Sequence, residues 1–264
     1  MDLQHSTALI LTGYGINCEL ETGEAFRRAG AAPRLVHLND LIAAPDAFEQ
    51  AAIFAVPGGF SFGDDVASGR ILANRLRYRL GDTLRAFVAR GGLVIGICNG
   101  FQVLVKMGLL PGGGDAFAQT VTLTHNDNSR FDNRWVHLAA PPGHRCIWLD
   151  GIDTLALPIR HGEGKFVARD TTTLESLRAG GQVALRYVRP GGVPAGGAWP
   201  HNPNGAQDDI AGICDPTGRV FGLMPHPEAY VARTQHPRWT REDLPEEGAG
   251  LAIFRNGVAH ARAG

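Results

Sequence analysis

The sequence predicts an α/β fold in which a mostly parallel central sheet carries helices on both faces and continues into an antiparallel extension. In the first half of the chain, short apolar runs alternate with amphipathic segments, as buried parallel strands and their covering helices do. In the second half, strand-like runs follow one another without long helices between them, which favours antiparallel pairing.

The first half supplies the parallel part of this prediction. Its apolar runs predict four strands, at 7–12, 34–38, 51–56 and 92–97. Its amphipathic segments predict a helix at 18–30, one or two helices between 70 and 90, and another helix beginning at Asn99. The evidence for the middle segment is a leucine at every fourth position, namely Leu72, Leu76, Leu80 and Leu84.

The second half predicts the antiparallel part and two irregular insertions. Strand-like runs lie at 119–125, 134–140, 155–161 and 182–188. IAGIC and RVFGLM flank Asp-Pro-Thr-Gly, which is typical of a hairpin turn. Residues 190–208 predict a long Gly/Pro-rich loop, residues 234–248 predict a polar lobe, and the chain closes with a helix. We expect a single domain over residues 1–264 with these two insertions.

Composition excludes several functional classes. The 264 residues suit one large α/β domain, and a net charge of −1 gives no field that would hold nucleic acid or an anionic membrane. The N-terminus lacks the pattern of a secretory signal, and no apolar stretch approaches membrane-spanning length, so we expect a cytoplasmic protein. The four cysteines are widely spaced without a CxxC pair, so we expect neither a metal site nor disulfides.

The sharpest chemical signal is Gly96-Ile97-Cys98-Asn99-Gly100, between a predicted strand and a predicted helix. This GxCxG pattern is that of a nucleophile elbow with cysteine in place of serine. Flanking glycines permit the tight turn, and the helix N-terminus favours the reactive thiolate of Cys98. The alternative is a small buried cysteine at a strand end, with glycines used for packing.

A cysteine nucleophile needs a base and a group that orients the base. Of the ten histidines, only His226 lies in the segment MPHPE. Pro227 biases His226 towards an extended conformation, in which residues i and i+2 point the same way. His226 and Glu228 are therefore expected to act together. The alternative is a proline-rich turn with polar surface residues.

A third signal is VPGGFSFGDD, which follows the strand at 51–56. The carboxyl edge of a parallel sheet is where α/β proteins bind ligands. The amides of Gly58 and Gly59, with that of Asn99, are candidates for stabilising an oxyanion. Taken alone, the segment is better explained as an ordinary glycine loop.

In combination, PGG, GxCxGxQ and HPE resemble the class I glutamine amidotransferases. The resemblance implies their flavodoxin-like fold and a triad of Cys98, His226 and Glu228, which attacks the side-chain amide of glutamine. Gln102 occupies the glutamine of the CxGxQ motif. This chain has no P-loop of the form GxxxxGKS or GxxxxGKT, so we expect ATP chemistry to belong to a partner.

Further motifs narrow the resemblance. GINCELET, GGFSFGDD, HNDNSRF, HGEGKF, NG with DIAG, and GLMPHPE occur in this order. The series resembles the glutaminase subunits of phosphoribosylformylglycinamidine synthase, enzymes of purine synthesis. Within it, His161 and Glu163 are implied to line the glutamine pocket, while Arg130 would contact either glutamine or the partner. The other three cysteines are expected to be structural or incidental.

This resemblance also implies what the chain works with. We expect glutamine as substrate, no cofactor in this chain, and a large synthetase subunit that carries ATP and Mg²⁺. The insertions at 190–208 and 234–248 leave open how that subunit docks and whether a small third subunit takes part. We expect the loop at 58–62 to shift when the partner docks, because a diglycine loop changes its dihedrals at little cost.

Two alternative functions remain compatible with the sequence. An independent cysteine hydrolase, such as a peptidase or a γ-glutamyl hydrolase, would use the same elbow without HNDNSRF, HGEGKF or a synthetase. A non-catalytic subunit that senses glutamine would not need an intact Cys-His-Glu set.

Overall fold

A sheet of nine strands forms the centre of the molecule in the computed structural model, which describes residues 6–114 and 117–263. Eleven strands are present in these residues. They are β1 (Thr7–Thr12), β2 (Ala32–His37), β3 (Ile53–Val56), β4 (Leu93–Ile97), β5 (Val121–Thr124), β6 (Asp132–Ala139), β7 (Thr154–His161), β8 (Lys165–Ala168), β9 (Val183–Val188), β10 (Ile210–Cys214) and β11 (Val220–Leu223). In the large sheet their order is β2-β1-β3-β4-β11-β10-β9-β6-β7, and β5 pairs with β8 separately.

Six α-helices accompany the strands in the part of the chain that the structure describes. They are α1 (Glu19–Arg28), α2 (Leu38–Ala43), α3 (Arg70–Ala89), α4 (Asn99–Lys106), α5 (Thr171–Ala179) and α6 (Leu251–Ala263). Helix α1 packs against α6, and α3 packs against α4. Helix α1 leads from β1 to β2 on one side of β1, whereas α3 leads from β3 to β4 on the other side. Because such crossovers are right-handed, α1 and α6 cover one face of the sheet, and α3 and α4 cover the other. None of the helices in residues 6–114 and 117–263 has the length and apolarity needed to cross a bilayer.

Strand pairing in the large sheet changes from parallel to antiparallel at β11. Strands β2, β1, β3, β4 and β11 are parallel. The inner strands β3, β4 and β11 are fully buried and β1 nearly so, whereas the edge strand β2 is largely exposed or half-buried. From β11 onward each pair is antiparallel. The α/β class with an antiparallel extension is therefore confirmed, and the extension lies in the same sheet as the parallel strands.

The antiparallel half curls back over the carboxyl end of the parallel half. Strand β7 lies five places from β4 in the sheet order, which in a flat sheet means a separation of about 24 Å. Instead, the Sγ atom of Cys98, directly after β4, lies 3.6 Å from the carbonyl oxygen of Arg160 on β7. The sheet thus closes around the end of β4, and both halves contribute to the surroundings of Cys98.

Most predicted elements are found within one or two residues of their expected bounds. Residues 70–89 form one continuous helix, and the Asp215–Gly218 turn joins β10 to β11 through a hydrogen bond from Gly218 N to Asp215 O. Strand β8 and helices α2 and α5 were not predicted. Helix α5 begins with three threonines and is nine residues long, so its helical signal is weak, although the Asp170 side chain caps it by accepting from Thr173 N.

Candidate active site

Cys98 occupies a strained turn between β4 and α4. Its backbone angles, a φ of 51° and a ψ of −106°, lie outside the regions that residues other than glycine usually adopt. The turn is fixed by hydrogen bonds from Cys98 N to Leu223 O on β11 and from Gln102 N to Cys98 O. Strain of this kind persists only where the surroundings enforce it, and it is frequent at active sites.

The two glycines of GxCxG are explained by close packing in this turn. A Cβ atom on Gly96 would lie 2.7 Å from the carbonyl oxygen of Gly100 and equally close to the Leu104 side chain. Gly100 itself lies against the carbonyl oxygens of Val56 and Pro57, so the start of α4 touches the loop after β3. The glycines of GxCxG therefore allow the turn at Cys98 to pack against the Gly58–Gly59 loop.

His226 and Glu228 form a buried hydrogen-bonded pair. His226 Nδ1 lies 2.5 Å from Glu228 Oε1, and both side chains are almost fully buried. The pairing was expected from an extended segment, but Glu228 lies in a short 3₁₀ turn, Pro227–Ala229. The backbone N–H of His226 donates to Pro158 O on β7, which fixes the start of the turn.

The protonation of this pair is set by opposing effects. Burial lowers the pKa of His226, but the carboxylate of Glu228 and the thiols of Cys98 and Cys18 raise it, and the net result lies well above the usual value. His226 Nε2 is buried and has no hydrogen-bond partner in the described part of the chain. The ring thus holds Glu228 with one nitrogen and leaves the other free to exchange a proton.

The loop after β3 is held firmly against the segment at 14–18. Gly58 O accepts hydrogen bonds from Asn17 N and Cys18 N, and Phe60 N donates to Gly15 O. Gly59 has a φ of +152°, and a Cβ atom there would lie 2.8 Å from the Cα of Ile16. A shift of residues 58–62 by themselves would break these contacts, so any movement of this loop must carry the 14–18 segment with it.

Asn99 and Gln102 link α4 to both neighbouring loops. The Asn99 side chain accepts from Ser61 N at 3.2 Å and donates to Gln102 Oε1 at 2.9 Å. Gln102 Nε2 donates to the backbone oxygen of Glu163 at 2.6 Å. The side-chain amide of Gln102 is therefore bonded to the chain itself, which ties the HGEGKF segment to the helix that carries Cys98.

His161 is buried near His226 and is held by Asn126. Its Nδ1 lies 3.2 Å from Asn126 Oδ1, which also accepts from Gly164 N. Burial, with a smaller contribution from the charge on His226, lowers the pKa of His161 to about 3, so its imidazole is neutral at physiological pH. Asn126 lies in HNDNSRF, the segment from which sequence analysis singled out Arg130.

Arg130 is placed differently from the other candidates. Its side chain is exposed and lines a solvent-open cavity together with Phe131, Arg134 and Trp199. Its backbone oxygen accepts from Asn126 Nδ2, so the residue is tied to His161 through the main chain. Glu163 has a partly exposed carboxylate 3.9 Å from His125 Nδ1.

Sequence reasoning missed Cys18 as a site residue. It follows Asn17 in the GINCELET segment, and its thiol lies beside the His226 and Glu228 side chains. Burial raises the pKa of the Cys18 thiol, although the neighbouring His226 opposes that effect. The GINCELET motif was the only signal in the sequence, because Cys18 lies more than two hundred positions before His226 and Glu228.

Comparison with known proteins agrees with this geometry. A family model for CobB/CobQ-like glutamine amidotransferase domains matches residues 5–261. A phosphoribosylformylglycinamidine synthase subunit PurQ from Dehalococcoides mccartyi is 47% identical over 254 residues, which cover 96% of this chain and 97% of that protein. The corresponding subunit from Methanococcus maripaludis is 44% identical, with 96% of each chain covered.

A solved structure of PurLQS from Thermotoga maritima contains a chain with the same fold. The TM-score is 0.71 and the sequence identity 27%, with 97% of this chain and 98% of that chain covered. The two curated relatives match along nearly their whole length.

Proposed function

Since this chain belongs to the CobB/CobQ-like glutamine amidotransferase domains, and among them to the PurQ subunits of phosphoribosylformylglycinamidine synthase, we propose that it releases ammonia from glutamine for that synthase. The observation that carries the chemistry is the buried His226–Glu228 pair beside the strained Cys98 turn. The whole chain, residues 1–264, acts as one amidotransferase domain in this proposal, although 1–5, 115–116 and 264 lie outside the described residues.

In the proposed mechanism, Cys98 is the nucleophile and His226 the base. His226 Nε2 takes the thiol proton, and Sγ attacks the side-chain amide carbon of glutamine to give a tetrahedral intermediate. The imidazolium then returns its proton to the departing nitrogen, so ammonia leaves and a γ-glutamyl thioester remains. Water attacks this thioester with His226 as base, which releases glutamate and restores the thiol. Glu228 holds the ring in the required tautomer.

Backbone N–H groups are the proposed stabilisers of the intermediate. Asn99 is the first residue of α4, so its N–H has no partner within the helix. The Gly58–Gly59 loop is tied to the same helix end through the hydrogen bond from Ser61 N to Asn99 Oδ1. N–H groups at such a junction stabilise a developing oxyanion by about 2.7–4 kcal/mol each.

The remaining candidates shape the proposed glutamine pocket. Neutral His161 lies beside His226, and Gln102 fixes the backbone of Glu163, which leaves the Glu163 carboxylate at the pocket rim. Arg130 is assigned to the rim nearer the exposed cavity, where either glutamine or a partner can reach it.

The partner in this proposal is a large synthetase subunit. The PurLQS structure is named for an assembly of that kind, and we assign ATP and Mg²⁺ to the synthetase and no cofactor to this chain. A small third subunit belongs to the same proposal, as does a cytoplasmic location, which follows from the purine-synthetic role. Glutamine-dependent amidine synthesis by the reconstituted assembly tests the whole proposal, and peptide hydrolysis by the lone chain would favour an independent hydrolase instead.

Replacing Gly58 by alanine is expected to slow glutamine hydrolysis about 10²-fold through kcat. The φ angle of Gly58 is not positive, so its backbone tolerates alanine, but the new Cβ would lie 2.9 Å from His226 Cε1 and 3.3 Å from Cys18 Sγ. The imidazole must therefore move, and a displacement of about 1 Å is enough for such a loss. Steady-state glutamate release measures it.

Gly114→Ala is the matched control, because a Cβ atom there would meet no atom of residues 6–114 and 117–263 within 4 Å. Its rate should equal that of the wild type. If Gly58→Ala and Gly114→Ala are equally active, the imidazole does not need the space that Gly58 leaves.

We also expect the isolated chain to be a poor glutaminase that the synthetase activates. Unregulated hydrolysis would release ammonia to solvent, and the segments HNDNSRF and 190–208 are polar rim elements whose closure a partner can control. The measurement is glutamate release by the purified chain, alone and with the synthetase loaded with its substrate and nucleotide. A lone chain that turns over at the full rate of the assembly would contradict partner control.

A further inference from the structure

Cys18 places a second thiol at the His226–Glu228 pair. One donor atom from each of Cys18, His226 and Glu228 lies within 4.8 Å of the other two, and all three side chains are buried. Sulfur, imidazole nitrogen and carboxylate oxygen are the donors that Zn²⁺ prefers, and three protein ligands leave a fourth position for water.

The Cys18 thiol and the Cε1–Nδ1 edge of the imidazole both border the space beside Gly58. A Cβ atom on Gly58 would approach Cys18 Sγ at 3.3 Å, His226 Cε1 at 2.9 Å and His226 Nδ1 at 3.5 Å. Nδ1 is also the nitrogen that bonds to Glu228. We therefore take Nδ1 as the imidazole donor of the three-donor cluster.

The three donors are held in place, and the Glu228 carboxylate has one oxygen that is not used. Cys18 is fixed through its backbone, because Cys18 N donates to Gly58 O and Cys18 O accepts from Thr22 N; its thiol donates to Asn17 Oδ1. Glu228 Oε2 is buried without a hydrogen-bond partner among residues 6–114 and 117–263. A buried carboxylate oxygen without a donor is unusual and suits a cation.

We propose that Cys18, His226 Nδ1 and Glu228 form an inhibitory site for Zn²⁺ or a similar soft divalent cation. Two ligands about 2.0 Å from a tetrahedral ion lie about 3.3 Å apart, so the carboxylate must withdraw slightly from Nδ1. Its unbonded Oε2 allows this rotation.

Binding at this site inverts the tautomer of His226. Starting from the neutral ring, the metal takes the Nδ1 lone pair, the ring proton moves to Nε2, and the Cys18 thiol releases its proton to solvent. Nε2 then carries a hydrogen and cannot accept the Cys98 proton. The inhibition rests on the proposed glutaminase function, but the metal binding does not.

The binding test uses Co²⁺ as a spectroscopic probe on the full chain carrying Cys98→Ser, which removes the other thiol near His226. We expect a thiolate-to-Co²⁺ charge-transfer band that Zn²⁺ abolishes by competition. Adding Cys18→Ser should remove the band, whereas adding Cys214→Ala, which removes a buried cysteine outside the three-donor cluster, should leave it. No band, or a band that survives Cys18→Ser, would overturn the site.

Activity provides the second measurement. Zn²⁺ should inhibit glutaminase in the assembly. With each rate expressed relative to the same variant without Zn²⁺, Cys18→Ser should need at least about tenfold more free Zn²⁺ for half-inhibition than the wild type, since even indirect ligand contacts contribute that much. Equal Zn²⁺ sensitivity of wild type and Cys18→Ser would mean that inhibition occurs at Cys98. An inactive wild type with an intact Co²⁺ band would instead contradict the proposed function and leave the metal site standing.

Discussion

Cys98→Ala is expected to reduce glutamine-dependent amidine synthesis by the assembly at least about 10³-fold while synthesis from added ammonia survives. Removing a nucleophile removes the covalent route entirely, and the losses seen for such residues reach or exceed this size. The ATP-dependent step is proposed to lie on another chain, so the substitution leaves it intact. Both rates are measured on the same reconstituted preparation, with glutamine or an ammonium salt as nitrogen source.

The ammonia-dependent rate is the internal control for folding and assembly. Cys214→Ala is the matched control for loss of a buried cysteine outside the site, and it should keep both activities. If the assembled Cys98→Ala variant loses both activities, the division of labour between the chains is wrong. If it keeps the glutamine-dependent rate, Cys98 is not the nucleophile.

His226→Ala should lower glutamate release at least about 10³-fold, and Glu228→Gln should lower it by a smaller factor. The alanine variant has no base, whereas the glutamine variant retains the ring but loses the charge that keeps the pKa of His226 high. It also loses the acceptor that selects the tautomer, so a large effect remains, as for the orienting residue of other triads. Steady-state kcat for glutamate release gives the order.

Glu246→Gln is the control for loss of a carboxylate, because its side chain is 84% exposed. It should be as active as wild type. An unchanged rate in Glu228→Gln would remove Glu228 from the mechanism, and a loss in Glu228→Gln that exceeds the loss in His226→Ala would reverse the assigned roles.

The parallel half of the fold could be predicted because each of its elements has a local signal. Strand β1 at Thr7–Thr12 has the predicted bounds, and the apolar stripe of α3 marks a helix by its spacing alone. The hairpin at Asp215–Gly218 is set by its turn residues. These features depend on residues that are close in the sequence, so they can be predicted from a single sequence.

The curling of the sheet could not be predicted, because strand order in the antiparallel half depends on long-range pairing. No local pattern predicts that β7 lies five strands from β4 in the sheet order and yet contacts Cys98. The pairing of His226 with Glu228 was expected, but the 3₁₀ turn that achieves it was not. Cys18 was overlooked for the same reason, since only the closed structure brings the two ends of the chain together.

The position of β11 has a consequence for the order of events during synthesis of the chain. This strand lies in the middle of the sheet, where Val220 pairs with Val94, yet it leaves the ribosome only after β5 to β10 have been made. Until it arrives, β4 has an open edge and Cys98 N lacks its acceptor, Leu223 O. In the proposed mechanism, a nascent chain therefore holds Cys98 without its base, His226, and cannot hydrolyse glutamine. Because closing so long a loop is slow, the open edge is also the point at which a chaperone would be needed most.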